Sequence, residues 1–248
     1  MAMASAGSPD NLARRPIRVL LCDEIDKYPV TREGDPIGLA EERTATFGLN
    51  WLSIRACSPT VDGESRIADS YEASDQRRAS VECPHCSHRM FLDFFKHVVW
   101  QKKLDSRGEP VGHLPKTARI HCEACGSEWS EGHRLNALAT VRWHQTRPFE
   151  CCGRRQLPLD VYDGAWRAGA EGALARAWAW WDDKNEGRYA VYRSVCSECG
   201  VFSVENTHAG FQASKMFSPW QKDRPADVAG KWLAAKGNPD REDRKSVV

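Results

Sequence analysis

Two pairs of cysteines, each with two residues between its members, constrain the fold of this chain more than any other sequence feature. They are Cys83 and Cys86 in the run CPHC, and Cys122 and Cys125 in the run CEACG. A tight turn of this kind points two thiolates at one tetrahedral metal site and leaves room for a second pair. A redox-active dithiol would instead follow a strand in a strand–helix–strand unit, which neither pair does. The spacing therefore predicts a zinc site with four cysteine ligands.

The segment between the two pairs predicts a small β ribbon around this zinc. Residues 90–94 and 97–100 are rich in aromatic and aliphatic side chains, which is typical of strands. The stretch 108–115 is predicted to form the loop of the ribbon. His85 lies inside the first pair, and we expect it to face solvent rather than to bind metal. We assign residues 81–145 to this zinc-ribbon region.

A second cysteine cluster is predicted within residues 146–207. Cys152 precedes a glycine, as Cys125 does, and Cys196 and Cys199 form another CxxC pair. Because adjacent cysteines rarely both reach one ion easily, these three are the expected ligands. The fourth is left open between Cys151 and His144.

An apolar stripe separates the two halves of this second cluster. Residues 162–182 indicate a helix on which large apolar side chains recur at helical spacing, namely Trp166, Leu174, Trp178 and Trp181. Core packing is the simplest interpretation of the stripe. The alternative is an aromatic surface that stacks on DNA bases.

Composition favours metal over disulfides as the role of the ten cysteines. No apolar run approaches the roughly 18 residues that a membrane span requires, and residues 1–16 lack the apolar core of a signal peptide. We therefore expect a cytoplasmic protein without membrane contacts, whose cysteines stay reduced. A formal net charge of +1 gives no global argument for nucleic-acid binding, so any such argument must come from local patches.

A second constraint lies at residues 17–24, where a short apolar run ends in two adjacent carboxylates, Asp23 and Glu24. Such a run predicts a buried strand of a parallel sheet, whose carboxyl end is where α/β proteins bind ligands. In nucleotide hydrolases this is the Walker B arrangement, in which the first acid holds Mg²⁺ and the second activates water. The alternative is a core strand that simply stops at solvent.

The residues that follow continue an α/β pattern. Pro36 begins a predicted short helix over residues 37–47, and residues 51–57 predict a second strand that closes at Ser58-Pro59-Thr60. Because the tip after a neighbouring strand can sense a γ-phosphate, Ser58 and Thr60 are candidate nucleotide-binding residues. The same turn is also common where no nucleotide binds. We assign residues 1–80 to part of an ATPase domain.

Basic residues lie close to the cysteine pairs in the sequence. Residues 65–78 predict an exposed helix, in which Arg66, Arg77 and Arg78 face either phosphate, of ATP or of DNA, or only solvent. Folding of the ribbon is expected to gather seven cations into one basic patch for DNA: Arg77, Arg78, Lys96, Lys102, Lys103, Lys116 and Arg119. The alternative is that nearby acids neutralise the patch, namely Glu82, Asp93, Asp105, Glu109 and Glu123.

Six stretches, taken in order, resemble the large terminase subunit of lambda-type tailed phages, the GpA family. They are GSPDNLARRPIRVLLCDEIDKYP, LAEERTATF, SPTVDGESRIADSYEASDQRR, CPHC, CEACG and GFQASKMFSPW. The resemblance covers roughly two-thirds of the chain. It breaks between about residues 146 and 207, so we interpret the second cysteine cluster and its helix as an insertion.

The resemblance implies a viral DNA-packaging motor with an N-terminal ATPase and a C-terminal metal-dependent endonuclease. It implies Walker B roles for Asp23 and Glu24, and a motif at residues 58–60 that couples hydrolysis to movement. Its implied ligands are ATP and Mg²⁺ in the complete protein. Its implied partners are double-stranded DNA, a small terminase subunit and a portal protein, in the cytoplasm of a bacterial host.

Two parts of the family pattern are not found in this sequence. There is no GxxxxGK[ST] loop, and we expect that loop to precede residue 1 and the nuclease acids to follow residue 248. Residues 208–248 are predicted to begin the linker to the nuclease, with a helix over residues 226–236 and a disordered tail. The tail acids Asp240, Glu242 and Asp243 have no strand to carry them and are poor nuclease candidates.

The expected fold class is α/β. It comprises the C-terminal part of a P-loop ATPase domain, then a zinc ribbon of small β elements with an inserted helical, cysteine-rich segment. The competing function is a zinc-ribbon module that binds DNA or protein without catalysis.

Overall fold

The computed structural model describes residues 3–61, 63–156, 159–161, 193–196, 198–199 and 208–236. The predicted helix over 162–182 and the predicted tail fall outside these ranges. The chain divides into two compact units between Ser70 and Tyr71. No helix in the described ranges has the length and apolar character needed to cross a membrane.

The first unit contains a two-stranded parallel sheet, β1–β2. Val19 lies opposite Leu52, and Asp23 lies opposite Ala56. Both predicted strands are confirmed, and the connection between them is helical, as a parallel crossover commonly is. The elements in order are α1 (Pro9–Ala13), β1 (Val19–Asp23), a 3-10 turn (Ile25–Lys27), α2 (Pro36–Glu41), a second 3-10 turn (Glu42–Phe47) and β2 (Leu52–Ala56).

Helix α2 begins where the sequence predicts. The Asp35 carboxylate accepts a hydrogen bond from the Gly38 amide at 3.0 Å, and Pro36 occupies the first turn, where its missing N–H costs nothing. The α-helix is shorter than predicted, because the chain tightens into the 3-10 turn that follows. That turn ends at Gly48, whose φ of 56° suits a residue without Cβ.

The two faces of the β1–β2 sheet differ. One face packs on a small cluster made by Cys22, Ile25 and Ile37. The other face exposes four aliphatic side chains to 46–63 %: Val19, Leu21, Leu52 and Ile54. Strands of parallel sheets are usually apolar because both faces are covered. Here the described residues cover only one face, so the prediction that β1 is a buried strand is wrong for the face that carries Val19 and Leu21.

The second unit is built from short strands and two longer helices. Helix α3 (Arg66–Ala73) spans the division between the units. The elements that follow are β3 (Arg77–Glu82), β4 (Arg89–Met90), α4 (Phe94–His97), β5 (Val98–Leu104), β6 (Pro110–His121), β7 (Glu128–Trp129), α5 (Glu131–Leu138), β8 (Arg142–Gln145), β9 (Phe149–Cys151), β10 (Arg154–Gln156), β11 (Leu159–Val161), β12 (Arg193–Val195), β13 (Phe211–Gln212), two 3-10 turns (Lys215–Phe217 and Gln221–Asp223) and α6 (Pro225–Ala235).

Strand β3 organises one sheet of this unit, and β6 organises another. β3 pairs in antiparallel fashion with β4 and β8, and in parallel with β13. β5, β6 and β7 form an antiparallel sheet in that order. Two further antiparallel pairs are β9–β10 and β11–β12. The result is a mixed α/β structure of several small sheets.

Two sequence predictions about the ribbon, and one about the segment before it, are wrong in detail. The predicted loop over 108–115 is mostly strand, since β6 begins at Pro110 and the turn before it is closed by Asp105. The predicted strand over 90–94 stops at Met90, because Asp93 caps α4 through the Lys96 amide at 3.0 Å. The predicted helix over 65–78 ends at Ala73, and the arginines after it belong to β3.

The core of the second unit joins residues from distant parts of the chain. Val81, Phe94 and Trp129 of the ribbon pack with Met216 and Val228, which lie in the segment after residue 207. The predicted helix over 226–236 is present as α6, and it packs on β6. The ribbon core therefore needs the C-terminal segment as well as residues 81–145.

A buried arginine holds the segment after residue 207 against the ribbon. Arg134 is 1 % exposed and donates hydrogen bonds to the Met216 and Ser218 carbonyls at 3.1 and 2.7 Å. Its remaining donors contact both carboxylate oxygens of Glu131. A buried charge is tolerated when it is paired and hydrogen-bonded in this way.

Candidate metal centres and nucleotide site

The first cysteine cluster lies where two equivalent turns meet. Cys83 follows β3, and its amide donates to the His88 carbonyl at 2.9 Å; Cys122 follows β6, and its amide donates to the Ser127 carbonyl at 3.0 Å. The left-handed position of the second turn is Gly126, with φ of 69°, and the first turn has Ser87 there, with φ of 58°. The common backbone explains why both CxxC pairs present their thiols alike.

The sulfur atoms of this cluster are spaced for a tetrahedral metal. The Sγ atoms of Cys83 and Cys125 are 3.9 Å apart, and those of Cys86 and Cys122 are 3.8 Å apart. All four sulfurs lie within 4.8 Å of one another. Zn–S bonds of about 2.3 Å in a tetrahedron place sulfurs about 3.8 Å apart. The donor set and spacing both fit zinc.

The pKa values of the thiols indicate how readily each cysteine of the first cluster ionises to the thiolate that binds metal. Burial opposes ionisation of Cys83, but amide donors from His85 and Cys86 and the Ser127 hydroxyl lower its pKa to about 6. The pKa of Cys86 is raised to about 12 despite an amide donor from His88, since desolvation and the neighbouring thiols outweigh that donor. Four adjacent thiolates repel one another, so full deprotonation requires a divalent cation.

A polar network surrounds the second turn. Glu123 contacts Lys96 and His88, and these hydrogen bonds lower the pKa of its carboxyl to about 2. His85 is exposed and lies against His133, with 3.2 Å between its Nε2 and the partner Nδ1. It is not among the residues whose ligand atoms converge.

The second cluster brings four cysteines together. Cys151, Cys152, Cys196 and Cys199 all have sulfurs within 4.8 Å of one another. The Cys151–Cys199 and Cys152–Cys196 sulfur distances are 3.6 and 3.9 Å. This cluster therefore also fits a tetrahedral metal such as zinc.

Adjacent cysteines reach the same point because of a hairpin turn. β9 ends at Cys151, and the turn to β10 is Cys152-Gly153, with φ values of 52° and 70°. Two successive positive φ values are typical of the tight type I′ hairpin turn. The neighbouring sulfurs are consequently only 4.0 Å apart.

His144, the other sequence candidate for the fourth ligand, is used elsewhere. It is buried on β8, and its Nε2 lies 2.5 Å from the Ser80 hydroxyl on β3. The converging set contains Cys151 instead.

The thiols of the second cluster differ in pKa. Amide donors from Cys199 and Glu198 overcome desolvation and lower the pKa of Cys196 to about 6. The neighbouring Cys199 thiol and desolvation raise the pKa of Cys152 to about 12.

The acidic pair lies at the end of β1. Asp23 and Glu24 are both exposed, and the Glu24 amide donates to the Ala56 carbonyl at the end of β2, at 2.7 Å. Glu24 adopts the left-handed conformation, with φ of 55° and ψ of 45°. This conformation is uncommon for a residue with a side chain, and it turns the chain sharply out of the strand.

Asp26 links the acidic pair to the turn after β2. Its Oδ2 accepts from the Thr60 amide and hydroxyl, both at 3.1 Å, and from the Ser65 hydroxyl at 2.7 Å. Its Oδ1 accepts from the Ile67 amide at 2.9 Å. Partial burial opposes ionisation, but these hydrogen bonds lower the pKa of Asp26. Sequence reasoning missed this residue, because three acids lie at or just after the end of β1 and nothing in the sequence distinguishes the third.

The candidate phosphate-facing residues have mixed surroundings. Ser58 and Thr60 are exposed at the end of β2, so the sheet edge that carries Asp23 also carries this turn. Arg66 instead donates to the Ile25 and Tyr28 carbonyls, at 3.3 and 3.0 Å, and lies 3.8 Å from Asp35. Arg66 therefore fastens α3 to the residues after β1.

The predicted basic patch is not a single surface of free charges. Arg77 pairs with buried Asp75, and Lys96 pairs with Glu123. Arg78 lies over the ring of Phe91, 5.0 Å from its centre. Of the predicted neutralising acids, Glu123 acts as expected on Lys96, whereas Asp105 is engaged in the β5–β6 turn.

Comparison with known proteins gives one family. The family model for the phage terminase large subunit gpA, ATPase domain, matches residues 1–143. The match covers more than half of the chain and includes the acidic pair and the first cysteine cluster, but not the second cluster. No curated protein and no solved structure matches the chain.

Proposed function

The chain belongs to the family of phage terminase large subunits of the gpA type, and on that premise we propose that it contributes the Walker B edge of an ATP-driven DNA-packaging motor. The carrying observation is the end of the β1–β2 sheet. Asp23 lies at the end of β1, Glu24 turns away from it, and the Ser58–Thr60 turn leaves the parallel neighbour.

The roles proposed at this edge follow from its chemistry. Asp23 would hold the Mg²⁺ of Mg-ATP, and Glu24 would orient the attacking water and accept its proton. Magnesium supplies charge neutralisation on the phosphates when it is bound. Ser58 and Thr60 would respond to the γ-phosphate, and Asp26 would carry that response to α3, because it bonds both Thr60 and Ser65.

The two cysteine clusters are proposed to bind one zinc ion each. The first would fasten the ends of β3 and β6, and the second would fasten the β9–β10 hairpin to the residues after β12. Zinc with four thiolates and no open position is structural rather than catalytic. The zinc-bearing unit would present cations to double-stranded DNA during packaging. Endonuclease activity and contacts with a small terminase subunit and a portal protein belong to the same proposal.

A second candidate is a zinc-ribbon module that binds DNA or protein without catalysis. It is favoured by one sequence observation, the absence of a GxxxxGK[ST] loop from these 248 residues. Without the amides and lysine of such a loop, the Ser58–Thr60 turn would have to position the γ-phosphate with little help from the other described residues. We therefore expect the isolated chain to hydrolyse ATP slowly or not at all.

Nucleotide binding separates the two candidates. Mn²⁺ replaces Mg²⁺ and gives a paramagnetic signal, so binding of Mn-ATP can be titrated at millimolar nucleotide. We expect weak binding that Asp23→Asn abolishes and Ser58→Ala weakens, with Glu33→Gln as an exposed-acid control without effect. Binding that is absent, or indifferent to Asp23, rejects the nucleotide site and leaves the zinc module.

Hydrolysis is a separate measurement. A Mg²⁺-dependent rate that disappears in Glu24→Gln would contradict the expected low activity of the isolated chain. It would also establish the proposed role of Glu24, because the amide keeps the shape of the side chain but cannot accept a proton.

A further inference from the structure

A cavity of about 310 Å³ lies in the second unit, where β6 passes the beginnings of α5 and α6. Its polar lining is strongly cationic: Lys116, Arg119, Arg134 and Arg224 face a single carboxylate, Glu131. The zinc clusters and the acidic strand end contribute no residue to it. We call it the β6 cleft.

The four cations of the cleft share one carboxylate. Arg134 contacts both oxygens of Glu131, and Arg224 also pairs with Glu131, at 3.8 Å. Arg119 lies 3.7 Å from Glu128, a residue that does not line the cleft. More than half of the Arg119 side chain is covered. Lys116 has no ion pair within the described ranges. The cleft therefore has a net positive charge.

Neutral donors add to this preference for an anion. The α6 helix starts at the cleft, with Pro225 and Ala226 in its wall, and the residue before it provides no side-chain cap. The amino end of a helix carries a partial positive charge, and at α6 the Ala226 N–H is the donor on offer, because Pro225 has no N–H and the Asp227 amide donates to the Arg224 carbonyl at 2.9 Å. The Asp227 carboxylate in the first turn offsets part of that charge. Trp129, which is 2 % exposed, also lines the cleft, and its buried indole N–H has no hydrogen-bond partner among the described residues.

We propose that the β6 cleft binds a phosphate group of double-stranded DNA. The identity of the ligand as DNA rests on the proposed packaging function. The preference for a phosphate rests on the cations that line the cleft. Cations at a helix amino end select a tetrahedral oxyanion without reading a base. A motor that moves along any sequence requires contacts of that kind.

The test is binding of a random-sequence DNA duplex by fluorescence anisotropy across a salt series. The wild-type chain is compared with Lys116→Ala/Arg224→Ala, which removes two cleft cations. The matched control is Arg14→Ala/Arg15→Ala, which removes two exposed cations of the first unit that belong neither to the cleft nor to the predicted basic patch. Zinc content and circular dichroism show whether each variant is folded, and Lys116→Arg tests retention of charge.

The expected result is a roughly tenfold or larger loss of affinity at low salt for the cleft variant, with a slope of log K against log salt that is smaller by about 2. The Arg14→Ala/Arg15→Ala control should change affinity less than about threefold, and Lys116→Arg should bind like the wild type. Equal losses in both double variants would overturn the cleft while leaving DNA binding intact. Undetectable binding of DNA by the wild-type chain at low salt would also reject the proposed role of the cleft. The packaging proposal would then still be tested separately by the Mn-ATP titration.

Discussion

The β1–β2 sheet and the region around the first cysteine cluster, the predicted ribbon, are both assembled from short strands, yet they are stabilised in different ways. In the ribbon, aromatic and aliphatic side chains from β3, β6 and α6 bury one another beside the first cysteine cluster. In the β1–β2 sheet, four aliphatic side chains of one face remain exposed. A polar residue, Asp26, provides the connections that apolar packing provides in the ribbon.

This difference shows that apolar strands do not by themselves make a core. A strand is buried only if another element covers its face, and short β regions often require metal to supply the missing free energy. The ribbon has both an overlying helix and a cysteine cluster. We therefore expect the two regions to respond differently to metal removal, to core truncation and to acid.

Metal removal should give the largest difference between the regions. Structural zinc is typically worth on the order of 10 kcal/mol in small sites, so a chelator should unfold the ribbon and spare β1 and β2. Amide hydrogen exchange would show protection lost in β3 and β6 but retained in β1. Cys83→Ser should reproduce the loss. Cys57→Ser, which changes a thiol outside both clusters, should not.

Metal analysis sharpens the same comparison. Protein purified under reducing conditions should contain two zinc ions, and Cys152→Ser should lower the count to one while β3 and β6 stay protected. A protein that keeps ribbon protection after chelation, or that contains no zinc, would contradict the metal-dependent view of the ribbon.

Truncation of apolar side chains should give the next largest difference. Phe94 is 2 % exposed and contacts Trp100 and Trp232, so Phe94→Ala should cost about 3–5 kcal/mol of unfolding free energy. Leu21 is 63 % exposed, and Leu21→Ala should cost less than about 1 kcal/mol. Urea unfolding of the zinc-loaded protein, followed by regional hydrogen exchange, measures both. Comparable costs would mean that the exposed face of β1 is covered in solution.

Acid should separate the regions through Asp26. Because the folded protein lowers the pKa of Asp26, its ionised form adds stability that is present above the unfolded pKa of about 3.9 and is lost as pH falls through the folded value. Asp26→Asn replaces one acceptor oxygen with an NH₂ group, which cannot accept a hydrogen bond from Thr60, Ser65 or Ile67. We expect it to destabilise β1 and β2 by about 1–3 kcal/mol at neutral pH. It should also flatten the loss of stability below about pH 4.

The matched control for Asp26 is Asp23→Asn, at the exposed end of the same strand, which should change stability by less than about 0.5 kcal/mol. Hydrogen exchange of β1 between pH 3 and pH 7 provides the measurement. Equal effects of the two substitutions would reject Asp26 as the connecting residue.

The smallest expected effect concerns Glu24. The backbone of Glu24 is left-handed, a conformation that glycine adopts without strain, so Glu24→Gly should stabilise the β1–β2 region. The expected net gain is about 0.5–1 kcal/mol, with the loss of the exposed Glu24–Lys27 ion pair already included. Glu24→Gln keeps the Cβ and should change stability by less than about 0.5 kcal/mol. Chemical denaturation of the two variants in parallel detects this gap. A destabilising glycine would show that the conformation carries no strain.

Local sequence patterns determined much of this protein. The CxxC spacing specified both turns of the first cluster, because each pair of ligands lies within one turn of backbone that needs only a left-handed residue, Ser87 or Gly126, to close it. The apolar run before Asp23 specified β1, and Pro36 specified the start of α2, since strand period and helix capping are local properties. The family could be recognised from motifs in the same order.

Tertiary structure alone decided which distant residues meet. Cys151 joins the second cluster and His144 does not, because a type I′ turn at Cys152-Gly153 brings adjacent sulfurs together while β3 pairs with β8. Arg224 reaches the β6 cleft only because α6 packs on β6, and Asp26 becomes a connecting residue only because β2 ends beside β1. Sequence spacing carries local geometry, whereas contacts between elements depend on how their buried faces pack, which no local pattern specifies.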